Sequence, residues 1–333
     1  QRIHLAHLPG MEQRQTKRLE LAHHASLEPR SRAATIAGFP KMNAVKPPEV
    51  LDALARADLT RLGFRDADAA DCRTLIASLA DAPERLSRVV DLAGKLHARI
   101  GDFFSEDLPV RDDGGLASFE EGLVTLLALV AVSAPVHEAY VARGIPSEVA
   151  WRSLADLGQQ VHVFREIFGF FGLCSQTWCV ANFTGRHLWL GRLQFTLEQA
   201  EAAGEYACGI HIPESGPLTP SLVDESLAAA GDLVPRTYPE YPVTDFVLHS
   251  WMLDPDLMAC LEPESNLARF ARRFRLLGGS EPGLHDALFF IFQKEPRLQP
   301  LDLSALPRDS SLRRAALSRP LEELRVASGR LVT

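Results

Sequence analysis

The chain has 333 residues, of which 46% are hydrophobic and 23% are charged, a composition typical of a globular protein with a sizeable core. Its formal net charge of -8 and its pI of about 5.8 argue against nucleic acid as a partner, and its length favours two domains. The five cysteines are odd in number and include no C-x-x-C pair, so we expect reduced thiols in a cytoplasmic protein and no metal site; they are Cys72, Cys174, Cys179, Cys208 and Cys260.

The first 46 residues are predicted to form a basic arm. Residues 1–47 hold 8 lysines and arginines against 3 acidic residues, so the arm is either a solvated extension or a segment that docks on the acidic body or on an anionic ligand. The first residues show no secretory leader pattern. The longest uncharged stretch, Gly122 to His137, contains Pro135 and is shorter than the roughly 20 residues that span a bilayer, so we expect a buried helix and no membrane partner.

Residues 47–172 have the pattern of an all-helical domain. The sequence PPEVLDALARA begins with prolines, which are tolerated in the first turn of a helix, and apolar residues from Leu86 to Phe104 recur largely at three- and four-residue spacing. The stretch from Ala117 to Arg143 is apolar on most faces, as in a helix at the centre of a domain. Two short helices are predicted to follow, the first with Ser147 as its N-cap.

From residue 173 the pattern changes to strands. Aromatic and β-branched residues in TWCVANF and HLWLGRLQF predict a hairpin around a TGR turn, and EYACGIHIP, VTDFVLHSWML and DALFFIFQKE predict three further strands. Helices separate these last three strands, the first of them beginning at Thr219. The expected order is β-β-β-α-β-α-β over residues 173–300, followed by a helical extension over residues 301–333.

This order predicts an α+β fold, in which an all-helical N-terminal domain is followed by a mixed β-sheet with helices on its faces. The strand–helix–strand crossover through Thr219 places the third and fourth strands side by side and parallel. This order resembles that of the GNAT acyltransferase fold, in which an antiparallel start is followed by a central parallel pair that separates to admit a cofactor.

Four motifs carry a resemblance to a known family: LGRLQF, HIPESGPLTP, LHSWMLDPDL and ESNLARFARRF. In this order they resemble a bacterial, mainly actinobacterial, family of acyltransferase-domain proteins, over roughly residues 45–295. The resemblance implies a helical N-acyltransferase N-terminal domain, a GNAT-like C-terminal domain, and transfer of an acyl group from acyl-CoA to an amine. Coenzyme A is then a substrate and the acceptor a small molecule, but the resemblance names neither the acyl group nor the acceptor.

The loop HIPESGPLTP and the helix after it form the predicted donor site. Thr219 is a good N-cap and Pro220 suits the first helical position, so free N–H groups and the helix dipole would face a pyrophosphate. Gly216 allows close backbone approach. The residues predicted to contact the donor are Ile212, Ser215, Gly216, Leu218, Thr219 and Ser221, together with Ser265 and Asn266, which either cap the next helix or contact the pantetheine arm.

This loop departs from the usual GNAT pattern, Arg/Gln-x-x-Gly-x-Gly/Ala. It contains no basic side chain, its prolines remove amide donors, and Glu214 repels phosphate. A rigid turn without a ligand therefore remains open, as does a phosphopantetheine on a carrier protein, which lacks the adenosine part and needs fewer basic contacts. If CoA binds, a distant arginine must help, and the candidates are Arg186, Arg192, Arg269, Arg272 and Arg273.

Acyl transfer to an amine needs a base, stabilisation of an oxyanion and a proton for the leaving thiolate. His211 and His249 stand at the ends of the third and fourth strands and are the predicted catalytic bases, although a backbone carbonyl could hold either ring instead. Ser250 is the third catalytic candidate, as a hydrogen-bond partner of the thiolate or of a substrate carbonyl. Cys208 points to the opposite face from His211 and is expected to be a core residue.

Two other functions stay open at this point. A GNAT-shaped binding or regulatory protein without chemistry would explain the non-basic loop, and an acyl-CoA hydrolase or decarboxylase would keep the sheet and change the reaction. An acidic group after the fourth strand is either solvated surface or a means of attracting a cationic amine; its members are Asp254, Asp256, Glu262 and Glu264.

Overall fold

The computed structural model describes residues 46–111, 116–200, 204–295 and 302–332. The predicted basic arm, apart from Lys46, lies outside these residues. The described chain divides into two compact units, one that ends at Leu188 and one that begins at Trp189. The sequence placed this boundary earlier, at residues 172/173, because it assigned the following segment to the sheet.

The first unit is built from helices, as predicted for residues 47–172. Prolines occupy the first turn of two of them, at Pro47 and Pro83, where the missing N–H costs no intrahelical hydrogen bond. In chain order the helices are α1 Pro47–Arg56, α2 Asp66–Ala77, α3 Pro83–Ala98, α4 Leu116–Ala142, α5 Ser147–Leu154, α6 Asp156–Phe168 and α7 Gln176–Asn182.

α4 is the central helix of this unit. Every residue from Val124 to Val132 is buried, and α1, α3 and α5 pack against the helix. In the described part of the chain, Phe119–Ala142 is the one helical stretch long and apolar enough to cross a membrane, but 67% of its most apolar window is buried, as in a core helix. At its start, Glu120 accepts hydrogen bonds of 2.8 and 2.9 Å from Arg85 of α3, and this pairing lowers the pKa of the Glu120 carboxyl.

Two local predictions for this unit are wrong. TWCVANF is not a strand but belongs to α7, where the buried residues Gln176, Cys179 and Val180 follow helical and not alternating spacing. The N-cap of α5 is Pro146, and Ser147 is the first helical residue. The Ser147 hydroxyl instead lies 2.9 Å from Nε2 of His137.

The second unit is built on a seven-stranded mixed sheet, which confirms the predicted α+β fold. In chain order the strands are β1 His187–Leu190, β2 Leu193–Gln199, β3 Tyr206–His211, β4 Val243–Ser250, β5 Phe274–Leu276, β6 Glu281–Pro282 and β7 Arg325–Leu331. Their order across the sheet is β1-β2-β3-β4-β7-β5, with β6 paired to β7.

Along the chain, the helices of this unit alternate with the strands. α8 Pro220–Thr237 crosses from β3 to β4, and these two strands are parallel, as predicted. The pairs β2–β3, β4–β7 and β5–β7 are antiparallel. The shorter helices are α9 Pro255–Ala259, α10 Asn266–Ala271, α11 Leu284–Asp286 and α12 Ser311–Ala316.

The predicted fifth strand, DALFFIFQKE, is helical instead. α11 continues into a π-helical turn, and its buried residues Ala287, Leu288 and Ile291 follow a helical period. They belong to an apolar cluster that also contains Trp251 and Leu324. The apolar residues Leu288, Ile291 and Phe292 are therefore buried by a helix packed beside the sheet, not by a strand within it, whereas Phe290 is 61% exposed.

The outer neighbour of β4 is β7, which lies in the segment predicted as a helical extension. That prediction is wrong for Arg325–Leu331. Gly329 weakens the strand pattern in the sequence, yet glycine is needed there, because a Cβ would lie 2.8 Å from Cδ1 of Leu253 and 3.0 Å from Cβ of Phe274.

Asp254 joins the end of β4 to the start of β7. One carboxylate oxygen caps α9 by accepting hydrogen bonds from the N–H groups of Asp256 and Leu257, at 2.9 and 3.3 Å. The other oxygen accepts from the N–H of Arg325 at 2.9 Å. Asp254 is 1% exposed, so its assignment to an acidic surface patch is wrong.

We expect Asp254→Ala to lower the free energy of unfolding by about 2–4 kcal/mol, because it removes a helix cap (about 1 kcal/mol) and leaves the Arg325 N–H without its acceptor (about 1–3 kcal/mol). Urea unfolding of the full chain, followed by tryptophan fluorescence, measures this loss. Asp256→Ala is the control, because that exposed carboxylate makes a surface ion pair with Arg319 and its loss should cost no more than about 1 kcal/mol. Equal losses in the two variants would contradict the role of Asp254.

Candidate active site

The parallel strands β3 and β4 separate before they end. Their pairing stops at Gly209 and Val247. Beyond that point β3 stays paired to β2 as far as His211, and β4 stays paired to β7 as far as Ser250. The two strand ends are therefore held on their outer edges and part from each other on their inner edges.

His211 and His249 hold matching positions, each two residues beyond the last paired residue of its strand. Alternate residues of a strand share a face, and so do paired residues of neighbouring strands, so both imidazoles lie on the same side of the sheet. Ser250 faces the other side, where its hydroxyl accepts a hydrogen bond from the N–H of Met252 at 3.1 Å. The structure groups two of the predicted catalytic residues and separates Ser250 from them.

The His211 imidazole belongs to a cluster with two side chains of β2. Its Nε2 lies 2.8 Å from Oγ1 of Thr196 and 3.7 Å from Oε1 of Glu198. The Thr196 hydroxyl donates to that same Glu198 oxygen at 2.8 Å. The His211 side chain remains 28% exposed, so a ligand can reach it.

The His249 imidazole contacts the strand on its outer side. Its Nδ1 lies 2.8 Å from the hydroxyl of Ser328, the residue directly opposite on β7. On the same face, Nε of Arg330 lies 3.1 Å from Oδ1 of Asp245. The histidine-bearing face is thus lined with polar and charged groups, whereas the opposite face is apolar and buried; it includes Phe195, Ile210 and Leu248.

The buried side chain of Arg192 binds the backbone of the predicted donor loop. It follows β1 in the turn to β2 and is 7% exposed. Its Nε donates to the carbonyls of Gly216 and Pro217 at 3.0 and 3.2 Å, and its Nη1 donates to that of Pro213 at 2.9 Å. Burial lowers the pKa of the guanidinium. One of the arginines expected to reach the donor therefore binds the backbone of the loop.

The same turn fixes the start of α8. The N–H of Arg192 donates to the Ser226 hydroxyl at 2.8 Å, and this hydroxyl donates to the carbonyl of Leu222 at 2.8 Å. Gly191 has a φ of +62°, and a Cβ there would lie 2.8 Å from Oγ of Ser226. Glycine therefore suits both the backbone conformation and the close approach of the turn to the helix.

α8 begins where the sequence predicts, with Thr219 as N-cap and Pro220 in the first turn. The Thr219 hydroxyl makes no capping hydrogen bond and lies 3.5 Å from that of Ser221. The first N–H groups of a helix have no acceptor within it, so they face out of its start. Gly216 has a φ of +110° and open space beside its Cα. Of the other predicted donor contacts, Ser215 and Ser221 are exposed, Ile212 is half-buried and Leu218 is buried.

The remaining arginine candidates have partners in local structure. Arg269 and Arg272 both pair with Glu264 at the start of α10. Arg273 pairs with Asp224 of α8, and this contact lowers the pKa of the Asp224 carboxyl. Arg186 belongs to the first unit, where it donates to the carbonyl of Phe103.

Ser265 and Asn266 form the start of α10. The Ser265 hydroxyl accepts from the N–H of Ala268 at 3.3 Å, as an N-cap, and Asn266 is the first helical residue. This is the capping alternative that the sequence left open. A contact with the donor remains a prediction for both residues.

Sequence reasoning missed Thr196, Glu198 and Ser328, which contact the two histidines. A signal for the first two was present, because polar and apolar residues alternate in LQFTLEQ and alternation marks a strand with one polar face. Ser328 had no such signal, because its strand was not recognised.

Cys208 lies outside this cluster. It is buried on the opposite face of the sheet from His211, and burial raises the pKa of its thiol far above the ordinary value. Over the described ranges, no group of three or more His, Cys, Asp and Glu side chains is arranged to hold a metal ion.

Comparison with protein families assigns each half of the chain. The family described as N-acyltransferase N-terminal domain matches residues 53–185, and the family described as GNAT-like C-terminal domain matches residues 188–330. No curated protein matches the chain.

Solved structures match the chain over most of its length. An acyltransferase mutant in complex with octanoyl-CoA is 30% identical, with a TM-score of 0.69 over 82% of this chain and 85% of the other. An acyltransferase in complex with CoA and 10C-teicoplanin is 30% identical, with a TM-score of 0.70 over 82% and 85%. An acyltransferase in complex with decanoyl-CoA and teicoplanin is 29% identical, with a TM-score of 0.70 over 85% and 93%.

The chain therefore belongs to this family of N-acyltransferases, which combine an N-acyltransferase N-terminal domain with a GNAT-like C-terminal domain. The four sequence motifs led to the same family. Its actinobacterial origin stays a prediction.

We expect Arg192→Lys to loosen the loop, because a lysine ammonium cannot reproduce three hydrogen bonds made by a planar guanidinium. Amide hydrogen exchange in a peptide covering residues 212–223 should become faster. Arg236→Lys is the control, since Arg236 lies exposed near the end of α8 and pairs with Asp232. Unchanged exchange in the Arg192 variant would contradict the anchoring role.

Alkylation of the native protein by iodoacetamide should modify the exposed Cys260 and leave Cys208 unmodified, because the thiolate is the reactive form and burial disfavours it at Cys208. Peptide mass spectrometry gives the extent of labelling at each thiol. Rapid labelling of Cys208 would contradict this expectation and make its thiol a candidate nucleophile.

Proposed function

We propose that this protein transfers an acyl group from acyl-CoA to a small-molecule amine. The observation that carries the proposal is the parallel pair β3–β4, which parts after Gly209 and Val247 with His211 and His249 beside the opening. Relatives of 29–30% identity are acyltransferases in complex with CoA, octanoyl-CoA or decanoyl-CoA, and this supports the same class of donor here.

The donor would bind with its pyrophosphate at the start of α8. Free N–H groups, the helix dipole and the open backbone at Gly216 favour an anion there. The loop offers no side-chain cation, and Glu214 accepts a hydrogen bond from Gln293 at 3.3 Å. Backbone donors would therefore supply most of the recognition. Arg192 would help by drawing three loop carbonyls toward itself and so away from the anion.

The histidines would move the protons of the reaction. The amine nitrogen attacks the thioester carbonyl, a C–N bond forms, and the C–S bond breaks to release the CoA thiolate. His211 would take the proton that the amine loses, and His249 would return a proton to the thiolate. Ser250 faces the other side of the sheet, so we assign it no step in this scheme.

The acceptor would approach over the polar face of the sheet. Glu198 and Asp245 lie on this face, and acidic side chains attract an ammonium group. Two of the relatives are in complex with 10C-teicoplanin or with teicoplanin. Teicoplanin is therefore the first acceptor to test.

A donor carried as phosphopantetheine on a carrier protein is the second candidate. One observation favours it, namely the exposed Glu214 in a loop where GNAT proteins usually have a basic residue. A carrier-bound donor lacks the adenosine part of CoA and needs fewer cationic contacts.

We further propose a cytoplasmic location. None of the five cysteines forms a disulfide, which fits a reducing compartment.

Calorimetry with CoA, octanoyl-CoA and decanoyl-CoA tests the donor. We expect saturable binding and a higher melting temperature, because a ligand that binds only the folded state stabilises it by RT ln(1 + [L]/Kd). If the folded protein binds none of the three, the acyl-CoA proposal is contradicted and the carrier-bound donor becomes the candidate to test.

Turnover with teicoplanin, followed by mass spectrometry, tests the chemistry. His211→Ala should lower kcat by about 10²- to 10⁴-fold, the usual contribution of a general base, without lowering the melting temperature. His162→Ala, in α6 of the helical unit, is the control and should retain turnover. Full turnover by the His211 variant would remove this residue from the mechanism.

A further inference from the structure

We propose that Thr196 and Glu198 are positioning residues for His211. They hold the ring in the tautomer that carries its proton on Nε2, so that Nδ1 is the basic nitrogen of the ring. This inference rests on the proposed function, in which His211 is the base. It concerns two side chains of β2 that have no direct part in the bond changes.

The hydrogen-bond directions in the cluster follow from the number of available protons. An ionised carboxylate only accepts, and a threonine hydroxyl has a single proton to donate. The 2.8 Å hydrogen bond from Thr196 to Glu198 uses that proton. The 2.8 Å contact between Oγ1 of Thr196 and Nε2 of His211 must then be donated by the ring. Since a neutral imidazole carries one N–H, Nδ1 is the basic nitrogen.

Gly209 makes room for this arrangement. A Cβ at Gly209 would lie 2.1 Å from Oε1 of Glu198 and 2.7 Å from Oγ1 of Thr196. The φ of Gly209 is not positive, so the backbone does not require glycine there. Glycine within a strand weakens the strand and marks a close approach. What approaches here is the carboxylate that completes the cluster.

The carboxylate also contributes through its charge. Oε1 of Glu198 lies 3.7 Å from Nε2 of His211, so it stabilises the positive charge that forms on the ring when Nδ1 takes a proton. The arrangement follows the general logic of a base oriented by a third group, with a hydroxyl between the ring and the acid.

The tautomer can be tested without any substrate. Long-range ¹H–¹⁵N spectra of the ¹⁵N-labelled full chain, in which His211→Ala identifies the signal, report which ring nitrogen carries the proton. We expect the Nε2–H form in the native protein and in Thr196→Ser, which keeps the hydroxyl. Thr196→Val has a similar shape but no hydroxyl, and should give a mixture of the two forms. Thr244→Val, a threonine on β4, is the control.

Kinetics with acyl-CoA and teicoplanin test the consequence. Thr196→Val and Glu198→Gln should each lower kcat about 10- to 100-fold, as expected when a base is misplaced, without changing KM for the donor. Thr196→Ser should restore kcat and Thr244→Val should retain it. Gly209→Ala should displace the carboxylate, so its effect should add little to that of Glu198→Gln.

The outcomes separate this inference from the proposed function. If His211→Ala loses turnover while Thr196→Val keeps its kcat, the positioning role is overturned and the base stands. If the native protein shows the Nδ1–H tautomer, the positioning role is overturned regardless of the kinetics. If His211→Ala keeps its turnover, the assignment of His211 fails and the positioning role fails with it, although acyl transfer itself is then demonstrated.

Discussion

The end of hydrogen bonding between β3 and β4 after Gly209 and Val247 is the constraint on which the candidate site depends. Two parallel strands can part at one end only if each keeps a partner on its other edge, because unpaired backbone groups inside a protein are costly. β2 supplies that partner for β3, and β7 supplies it for β4. The opening is thus a fixed property of the sheet, and it leaves inner-edge N–H and C=O groups free of the opposite strand.

The last strand of the chain therefore matters as much to the site as the central pair does. β7 pairs with β4 on one side and with β5 on the other, and its Ser328 contacts His249. Asp254 secures this strand to the turn after β4 through one buried carboxylate. A region that reads in the sequence as a peripheral extension thus completes the sheet and contacts a candidate catalytic side chain.

The predicted donor loop lacks the basic side chain that would neutralise a bound pyrophosphate. GNAT proteins commonly place a basic side chain in this loop, whereas here the loop carries Glu214 and the arginine stands behind it, in the β1–β2 turn. From that position, with Arg192 only 7% exposed, its Nε and Nη1 are directed at three loop carbonyls and not at a ligand. It shapes the backbone instead, and under the proposed function the start of α8 binds the anion. Recognition of this kind depends on geometry more than on side-chain charge, which is why the motif does not reveal it.

The sequence by itself determined the helical first half, the parallel pair joined by the helix after Thr219, and the family, because these depend on periodicity, capping residues and local motifs. It also placed His211 and His249 at strand ends. It could not decide TWCVANF or DALFFIFQKE, because a short apolar and aromatic run suits a buried strand or a buried helix equally, and the surrounding packing chooses. Nor could it show that Asp254 binds the N–H of Arg325, that Arg192 binds the loop, or that Thr196 and Glu198 meet His211. Those contacts join residues whose neighbours are set by strand pairing and register, and only the tertiary structure brings them together.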